Sequence, residues 1–227
     1  MENFNKNLVG ALYSRVFGQG DKAFASQIIA ENYIQHNPMV RTGRAGFLEF
    51  LDQLALLPAP EQAVEPFIRM MAEGDLVAVH SEVEFMGQLH ATVDIYRIEN
   101  ELLAEHWDAS QVIQNGKPRV RGNLEIDLHC ATEKSKQTVG KLWEAGLKQV
   151  PHLQDMQSFC WMKDSRDIRL HRLIGEHNFV LSHAEGVWEG KPCVFCDVFE
   201  LKGGQVTDHW WVSQAIPGQM AHENGMF

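Results

Sequence analysis

An aspartate and a histidine recur at the same spacing in two parts of this sequence. Asp94 lies 12 residues before His106, and Asp197 lies 12 residues before His209. A carboxylate that hydrogen-bonds an imidazole fixes the tautomer of the ring and favours its protonated form. A pair of this kind can transfer protons near neutral pH. The alternative for both copies is a buried polar pair that only fixes the register of two strands.

Strand pairing predicts that the two members of each pair meet. Ile98 and Leu102 flank a polar turn of three residues. If these two residues pair, Asp94 faces His106 across two antiparallel strands, and Asp108 points to the same face. The same pairing in the second half places Asp197 opposite His209. Opposed Cβ atoms are about 4.5–5.5 Å apart, which is close enough for a hydrogen bond.

Other polar residues are expected to join the first pair in one pocket. His80 belongs to a neighbouring strand with polar alternate residues, and we expect that strand to turn His80 toward Asp94. A polar segment after the second predicted helix adds Tyr33, His36 and Asn37. Together these groups predict a small-molecule pocket with several groups able to move protons.

A metal site is a weaker interpretation of the same residues. His36, His80 and His106 together with Asp108 would be a legitimate ligand set for a divalent ion. Their spacing matches no known metal motif, so no metal is expected. The sequence also contains no glycine-rich phosphate loop, serine nucleophile elbow or catalytic cysteine context.

A repeat shows that the chain contains two copies of one unit. A shift of 103 positions aligns Asp75–Gln111 with Asn178–Gln214 without a gap, and nine of the 37 aligned positions are identical. The matches include both members of the aspartate–histidine pair and the tryptophan that follows each histidine. We therefore predict two domains of common ancestry.

Predicted helices and strands indicate an α+β fold for each copy. The first copy opens with three helical patterns: one centred on Leu12, one from Lys22 to Ala30 behind an Asp21 cap, and one over Phe47–Leu54. Four strands follow. They are predicted at Val64–Met71, Leu76–Phe85, Leu89–Ile98 and Leu102–Ile113. Helices before a curved antiparallel sheet cover one of its faces and leave a conical pocket between the two layers.

The second copy is shorter and has lost part of its helical layer. One helix is predicted from Thr132 to Leu147, and the strand that contains Asp167 follows sooner than its counterpart does in the first copy. The polar stretch Asn115–Gly122 is punctuated by glycine and proline, so we place the linker there. The predicted domains are residues 1–114 and 123–227.

Charge and composition limit the partners. The net charge of −10 repels phosphate backbones and anionic lipids, so neither nucleic acid nor membrane is an expected partner. The first residues lack a cleavable apolar core, and no stretch is long and apolar enough to span a bilayer. A cytoplasmic location is expected.

The opposite face of the paired strands is apolar in both copies. Val93, Ile95 and Trp107 in the first copy are matched by Cys196, Val198 and Trp210 in the second. We expect the two sheets to pack face to face as a pseudo-dimer within one chain. The alternative is that these tryptophans fill the core of their own domain. A homodimer of the whole chain also stays open.

Three stretches of the first copy resemble a known family. Tyr33-Ile-Gln-His-Asn-Pro38, Val93-Asp-Ile-Tyr-Arg-Ile98 and Glu105-His-Trp-Asp108 are similar to the signature stretches of the SnoaL-like polyketide cyclase family. That family belongs to the nuclear-transport-factor-2-like superfamily of cone-shaped α+β domains. The second half resembles it through four stretches, Gly175-Glu-His-Asn-Phe-Val-Leu181, Cys196-Asp-Val-Phe199, Asp208-His-Trp210 and Asn224-Gly-Met-Phe227.

The resemblance implies an acid/base site without cofactor or metal. In the cyclases such a site catalyses an intramolecular aldol condensation by moving a proton α to a carbonyl. Asp94 would then be the acid/base residue, oriented by His106, with His80 or His36 holding the enolate oxygen. The remaining residues implied for the pocket are Tyr33, Asn37, Tyr96 and Asp108.

The second copy departs from the pattern. Trp211 replaces the last aspartate, Cys196 replaces a tyrosine, and no His-Asn-Pro stretch is present. The resemblance therefore implies a degenerate second site, with any chemistry in the first copy. Because this fold also serves isomerases, dehydratases and non-catalytic binders, a ligand-binding domain without catalysis is the alternative function.

Overall fold

The computed structural model describes residues 1–57, 66–145 and 165–227. The chain forms two tandem α+β domains, each with a mostly antiparallel sheet. The first domain contains α1 (Glu2–Ala11), a π-helical segment (Leu12–Phe17), α2 (Lys22–Ile28), β1 (Ile29–Gln35), α3 (Gly43–Leu54), β2 (Phe67–Glu73), β3 (Leu76–Phe85), β4 (Gln88–Glu99) and β5 (Leu102–Val112). The second contains α4 (Thr132–Glu144), β6 (Arg166–Glu176), β7 (Phe179–Trp188), β8 (Lys191–Lys202) and β9 (Gln205–Ala215).

Of the helices of the first domain, α2 begins where the sequence predicts, whereas α3 begins at Gly43 and not at Phe47. The Asp21 carboxylate accepts a hydrogen bond from the Phe24 amide at 2.9 Å, which confirms the predicted cap of α2. That helix ends at Ile28 and not at Ala30, because residues 29–35 form a strand that pairs in parallel with β5. This strand was not predicted from the sequence. It delivers Tyr33 and Gln35 to the edge of the sheet.

The predicted strands of the first domain are confirmed, with small shifts at their ends. β3 has the predicted bounds. β4 extends one residue further at each end than predicted, and β5 ends one residue earlier than predicted. The strand predicted at Val64–Met71 corresponds to β2, which runs over Phe67–Glu73. Positions 64 and 65 of that prediction lie outside the described residues. Positions 146 and 147 of the helix predicted from Thr132 also lie outside them. The sheets have the strand orders β1-β5-β4-β3-β2 and β6-β7-β8-β9.

The hairpin between β4 and β5 has a register different from the predicted one. Its turn has two residues, Asn100 and Glu101, with φ angles of 52° and 63°. A bulge follows between Arg97 and Ile98. The pairing of Ile98 with Leu102 was therefore wrong, since Ile98 pairs with Leu103.

The corrected register decides which side chains oppose each other at the site. Tyr96 pairs with His106, and Asp94 pairs with Asp108. His106 consequently lies diagonal to Asp94 on the same face of the sheet, which is still within reach of a long side chain.

The turn between β3 and β4 determines where His80 points. Met86 and Gly87 form this turn, so Phe85 pairs with Gln88, Val79 with Asp94 and His80 with Val93. Side chains of paired residues share a face. His80 therefore lies on the face opposite to Asp94, and the prediction that it joins Asp94 in one pocket is wrong.

Three apolar clusters hold the molecule together. One lies between the helices of the first domain and its sheet, and another lies between α4 and the second sheet. The third lies between the two sheets and contains Trp107 and Trp210. These tryptophans therefore lie in a core that both domains share. The predicted packing of sheet against sheet is confirmed.

Contacts across the two sheets repeat with the roles of the domains exchanged. The Arg69 guanidinium lies 3.9 Å from the ring centroid of Trp210, and that of Arg172 lies 4.0 Å from that of Trp107. Each of these partners is separated from its counterpart by the 103 positions of the repeat. The interface is therefore isologous, as in a twofold dimer, within a single chain.

Backbone contacts follow the same pseudo-twofold relation. Gln214 Oε1 accepts from the Ser110 amide at 2.8 Å, and Gln111 Oε1 accepts from the Ser213 amide at 3.1 Å. Glu73 accepts from the Gly175 amide and Glu176 from the Ala72 amide, both at 2.8 Å. No helix of the described residues is long and apolar enough to cross a membrane.

Candidate active site

Asp94 is at the centre of a chain of hydrogen bonds on the helix-covered face of the first sheet. Its Oδ2 accepts from the Tyr13 hydroxyl at 2.7 Å, and its Oδ1 lies 3.0 Å from His106 Nε2. The predicted contact between Asp94 and His106 is therefore confirmed. Tyr13 comes from the π-helical segment, a widened helical turn that is frequent at functional sites. The Asp94 side chain retains 17% exposure and that of His106 9%.

Gln35 determines the protonation of the His106 ring. Its Oε1 accepts from the backbone amides of His36 and Asn37 at 3.0 and 2.9 Å, so this atom is the amide oxygen. His106 Nδ1 lies 2.9 Å from the same oxygen and must donate to it. One more proton lies between His106 Nε2 and Asp94. The pair is either imidazolium with carboxylate or imidazole with carboxylic acid.

Asp108 lies directly opposite Asp94 and has a different environment. Its Oδ2 accepts from Asn37 Nδ2 at 2.5 Å. Its Oδ1 is buried and has no hydrogen-bond partner among the described residues. Burial raises the pKa of Asp108 to about 6. The charge of His106 lowers this pKa, the charge of Asp94 raises it by a smaller amount, and the hydrogen bond from Asn37 lowers it.

Tyr33 presents a second unpartnered polar atom to the same site. Its side chain is fully buried, and its hydroxyl makes no hydrogen bond within the described part of the chain. Burial raises the pKa of Tyr33 well above its ordinary value, and the carboxylates of Asp94 and Asp108 raise it further. The site therefore combines an unused hydroxyl donor with an unused carboxylate oxygen. Buried polar atoms without partners are uncommon and often mark positions that a ligand occupies.

Tyr96 supports the His106 ring. The two rings stack with centroids 4.6 Å apart and planes 21° from parallel. Tyr96 is 2% exposed, and burial raises the pKa of its hydroxyl well above the ordinary value. The predicted residues Tyr33, Asn37, Asp94, Tyr96, His106 and Asp108 are thus brought together on one face.

His80 lies outside this group. Its Nδ1 accepts from Arg69 Nη1 at 2.8 Å on the face that packs against the second domain. Burial and the Arg69 charge lower the pKa of His80 well below its ordinary value, so the ring is neutral. A role for His80 in holding an enolate beside Asp94 is therefore excluded by its position.

His36 also points to the face between the domains. Its ring stacks on Trp107 at 4.9 Å, its Nδ1 donates to the Gly225 carbonyl at 2.9 Å, and its Nε2 lies 2.9 Å from Glu105 Oε1. Both ring nitrogens are occupied there. The prediction that His36 lines the pocket with Asp94 is wrong, although its amide contributes to the orientation of Gln35.

Two members of the site, Tyr13 and Gln35, were not predicted from the sequence. Tyr13 follows Leu12 in the first helical stripe, and Gln35 lies inside the stretch that carries the family resemblance. A tyrosine adjacent to an apolar stripe and a glutamine before His-Asn-Pro were the available signals. Neither signal identifies the partner, because both contacts join segments distant in sequence.

The second copy preserves the pair but not its surroundings. His209 Nε2 lies 2.8 Å from Asp197 Oδ1, and both side chains are fully buried, which confirms the second predicted contact. Asp197 pairs across the strands with Trp211, which occupies the position of Asp108. The Trp211 ring packs edge to face on Trp188 at 5.8 Å. An apolar ring thus replaces the second carboxylate.

No metal-binding group of three or more histidine, cysteine, aspartate or glutamate side chains is present within residues 1–57, 66–145 and 165–227. The hydrogen bonds around Asp94 show that this group of side chains contains both donors and acceptors.

Comparisons with known proteins find one family model that matches part of the chain. Residues 9–106 match the model of the SnoaL-like domain, which confirms the resemblance for that region. No curated protein matches the chain.

Several solved structures are similar in fold to about half of the chain. TsrD from Streptomyces laurentii is 18% identical over 49% of this chain and 90% of its own, with a TM-score of 0.41. IdmH, a candidate polyketide cyclase from Streptomyces antibioticus, is 20% identical over 47% of this chain and 91% of its own, with a TM-score of 0.37. A candidate ketosteroid isomerase from Kribbella flavida is 19% identical over 55% of this chain and 95% of its own, with a TM-score of 0.41.

Proposed function

We propose that the first domain, in which residues 9–106 match the model of the SnoaL-like domain, is a cofactor-independent acid/base catalyst of the cyclase or isomerase type, acting on a small carbonyl compound. The observation that supports this most is the buried, unpartnered Oδ1 of Asp108 in a site that also holds the unpartnered Tyr33 hydroxyl. A proton acceptor and a hydrogen-bond donor are the two groups that enolisation requires.

Asp108 is a better proton acceptor than Asp94, the residue that the sequence suggested. Both oxygens of Asp94 are occupied, by Tyr13 and by His106. Asp108 has one unoccupied oxygen, and its pKa of about 6 is near the pH at which a general base works best. Two carboxylates in different environments thus take different roles.

The reaction starts with transfer of a proton from the carbon next to the substrate carbonyl to Asp108 Oδ1. The electron pair of the broken C–H bond forms the carbon–carbon double bond of an enolate, and the carbonyl π electrons move to its oxygen. The Tyr33 hydroxyl donates a hydrogen bond to that oxygen. The enolate carbon then attacks a second carbonyl carbon of the substrate, or takes a proton back at another carbon. Asp108 returns the proton in either case.

The pair of Asp94 and His106 positions the site in this scheme. Because the pair shares one proton, its net charge is zero in either form, and it adds no full negative charge beside Asp108. Tyr13 and Gln35 fix the two ends of the pair at 2.7 and 2.9 Å.

Exchange of the α-protons of trial ketones with D2O, followed by NMR, tests the proposal. We expect the unmodified protein to catalyse exchange and Asp108→Asn to reduce the rate by about 100-fold, the scale of a lost general base. Asp52→Asn is the matched control, because that carboxylate is 66% exposed on α3 of the same domain. The control is expected to keep the full rate.

Ligand binding without exchange is the result that contradicts the proposal. A thermal-shift screen first identifies ketones that stabilise the protein. If ketones that bind show no α-exchange above the uncatalysed rate, the first domain is a ligand-binding domain and not an enzyme.

A further inference from the structure

The residues that follow β9 cross from the second domain to the site of the first. We call residues 221–227 the tail and residues 35–38 the site loop. The Ala221 amide donates to the Pro38 carbonyl and His222 Nε2 donates to the Asn37 carbonyl, both at 2.8 Å. Asn224 Nδ2 donates to the Gln35 carbonyl at 2.9 Å. The tail therefore binds the backbone of three of the four residues in the site loop.

The fourth residue of the site loop is bound through its side chain. His36 Nδ1 donates to the Gly225 carbonyl at 2.9 Å. Asn224 Nδ2 also lies 3.2 Å from Thr42 Oγ1, which in turn donates to the Tyr33 carbonyl at 3.0 Å. Every residue of the site loop thus makes a hydrogen bond with the tail.

The same loop carries two side chains into the site. Gln35 Oε1 accepts from His106 Nδ1, and Asn37 Nδ2 donates to Asp108 Oδ2. Two of the three backbone carbonyls that the tail binds belong to these two residues. A displacement of the loop would move both side chains relative to the groups that they orient.

The tail is itself anchored away from the loop. Met226 is 2% exposed and lies in the core shared by the two sheets. The Phe227 ring stacks on His171 at 4.3 Å and on His183 at 5.3 Å, both in the second domain. Gly225, with φ of +73°, provides the left-handed residue between the loop contacts and this anchor.

We propose that the tail of the second domain positions the active site of the first, with His222 and Asn224 as positioning residues that act through Gln35 and Asn37. This inference rests on the proposed function for its catalytic consequence. It gives the second copy a role although Trp211 has replaced the carboxylate of its own site. Simple adhesion between the domains is the competing explanation, and it predicts no effect on Asp108.

The two explanations differ in the titration of Asp108. The groups that interact with its carboxyl within the described residues are Asp94, His106, Asn37, Tyr33, Tyr13 and Cys196. The hydrogen bond from Asn37 lowers the pKa of Asp108 against the effect of burial. If the tail holds Asn37 in place, its loss weakens this bond and the pKa of Asp108 rises.

The experiment follows Asp108 by carboxyl 13C NMR as a function of pH in the full chain. The test variants are Asn224→Ala and the double variant His222→Ala/Asn224→Ala. Glu223→Ala is the matched control, because Glu223 is an exposed residue between the two in the same tail. We expect a higher Asp108 midpoint in the test variants, largest in the double variant, and an unchanged midpoint in the control.

Rates of α-exchange provide the second readout. Misplacement of a catalytic group by about 1 Å can cost about 100-fold in rate, so we expect a reduction of between about 10-fold and 100-fold in the double variant. An unchanged Asp108 midpoint in folded Asn224→Ala and double variants would overturn the inference. The titration needs no substrate, so its result stands apart from whether the protein catalyses exchange at all. Because Asn224 is exposed, its single variant remains a test if the double variant does not fold.

Discussion

At the scale of single residues, the site depends on two carboxylates whose surroundings differ. Asp94 has both oxygens occupied and shares a proton with His106. Asp108, directly across the strands, has one oxygen held by Asn37 and the other unpartnered. Burial of its carboxyl is the main cause of the raised pKa of Asp108. Because their hydrogen bonds differ, the proposed reaction gives Asp94 a positioning role and Asp108 the role of proton acceptor.

Tyr33→Phe tests whether an unpartnered hydroxyl is kept for function. Because the Tyr33 hydroxyl has no partner in the described structure, its removal should change the free energy of unfolding by less than about 0.5 kcal/mol or increase it. The rate of α-exchange should fall at least about tenfold, because the enolate oxygen loses its donor. Urea denaturation and the exchange assay measure the two effects.

Tyr13→Phe is the matched control for this prediction. It removes a hydroxyl that donates to a carboxylate at 2.7 Å, and it should cost about 1.5 kcal/mol of unfolding free energy. If Tyr33→Phe destabilises the protein as much as Tyr13→Phe and leaves exchange unchanged, the Tyr33 hydroxyl is a structural group.

The contact of Asp94 with His106 could be predicted from the sequence, but the side taken by His80 could not. Alternation correctly placed Ala78, His80 and Glu82 on one face of β3. Which face this is depends on the two-residue turn at Met86 and Gly87, which pairs His80 with Val93 and not with Asp94. A one-residue change in a turn reverses every side chain of a strand, so the prediction failed at the turn.

At the scale of elements, the hairpins of the two copies differ in how their turns are accommodated. Asn100 and Glu101 both have positive φ in the first copy, and Gly203 and Gly204 have φ of 58° and 80° at the matching positions of the second. Glycine adopts this region without strain, whereas a glutamate pays a steric cost. The first hairpin is therefore the more strained of the two.

Glu101→Gly should stabilise the protein by about 1 kcal/mol, because it removes the steric cost at this position. The hydrogen bonds and the register of the hairpin between β4 and β5 need not change in this variant. Urea denaturation measures the difference, with Glu99→Gly as control, since Glu99 is in the extended end of β4 and should lose stability. A loss of stability in Glu101→Gly as large as that of the control would show that the Glu101 side chain matters more than its backbone.

The strands of the first domain could largely be predicted, and β1 could not. Alternating apolar residues and turn signals identify β3, β4 and β5 within one residue of their bounds. The segment 29–35 lacks such alternation and pairs with β5, which lies some seventy residues further along the chain. Only this distant pairing makes it a strand. Local sequence patterns could therefore not predict where Tyr33 and Gln35 lie.

At the scale of the whole molecule, the two copies share one core. Apolar residues of both sheets form a single cluster. Arg69 packs on Trp210 of this cluster, and Arg172 packs on Trp107. The repeat in the sequence predicted this pairing because the exposed apolar faces needed a partner. The tail contacts with the site loop were not predictable, since they join the last residues of the chain to residues 35–38.

The shared core predicts that both domains unfold together. Calorimetry should show one transition with equal calorimetric and van't Hoff enthalpies. Trp107→Ala, which leaves a large cavity between the sheets, should lower the midpoint of that single transition, with a cost of about 3–5 kcal/mol. Two separate transitions, or a shift confined to one of them in Trp107→Ala, would show that each domain has an independent core.

The dependence of the α-exchange rate on pH tests the role of Asp108 most directly. Burial raises the pKa of Asp108 to about 6, so below that pH the carboxyl already carries the proton that it would have to accept. The rate should therefore rise with pH through a midpoint near 6 and level off above it. A midpoint near the ordinary aspartate pKa of about 4 would contradict the assignment of Asp108 as the base. A rate that does not change with pH across the range that contains both pKa values would also contradict it.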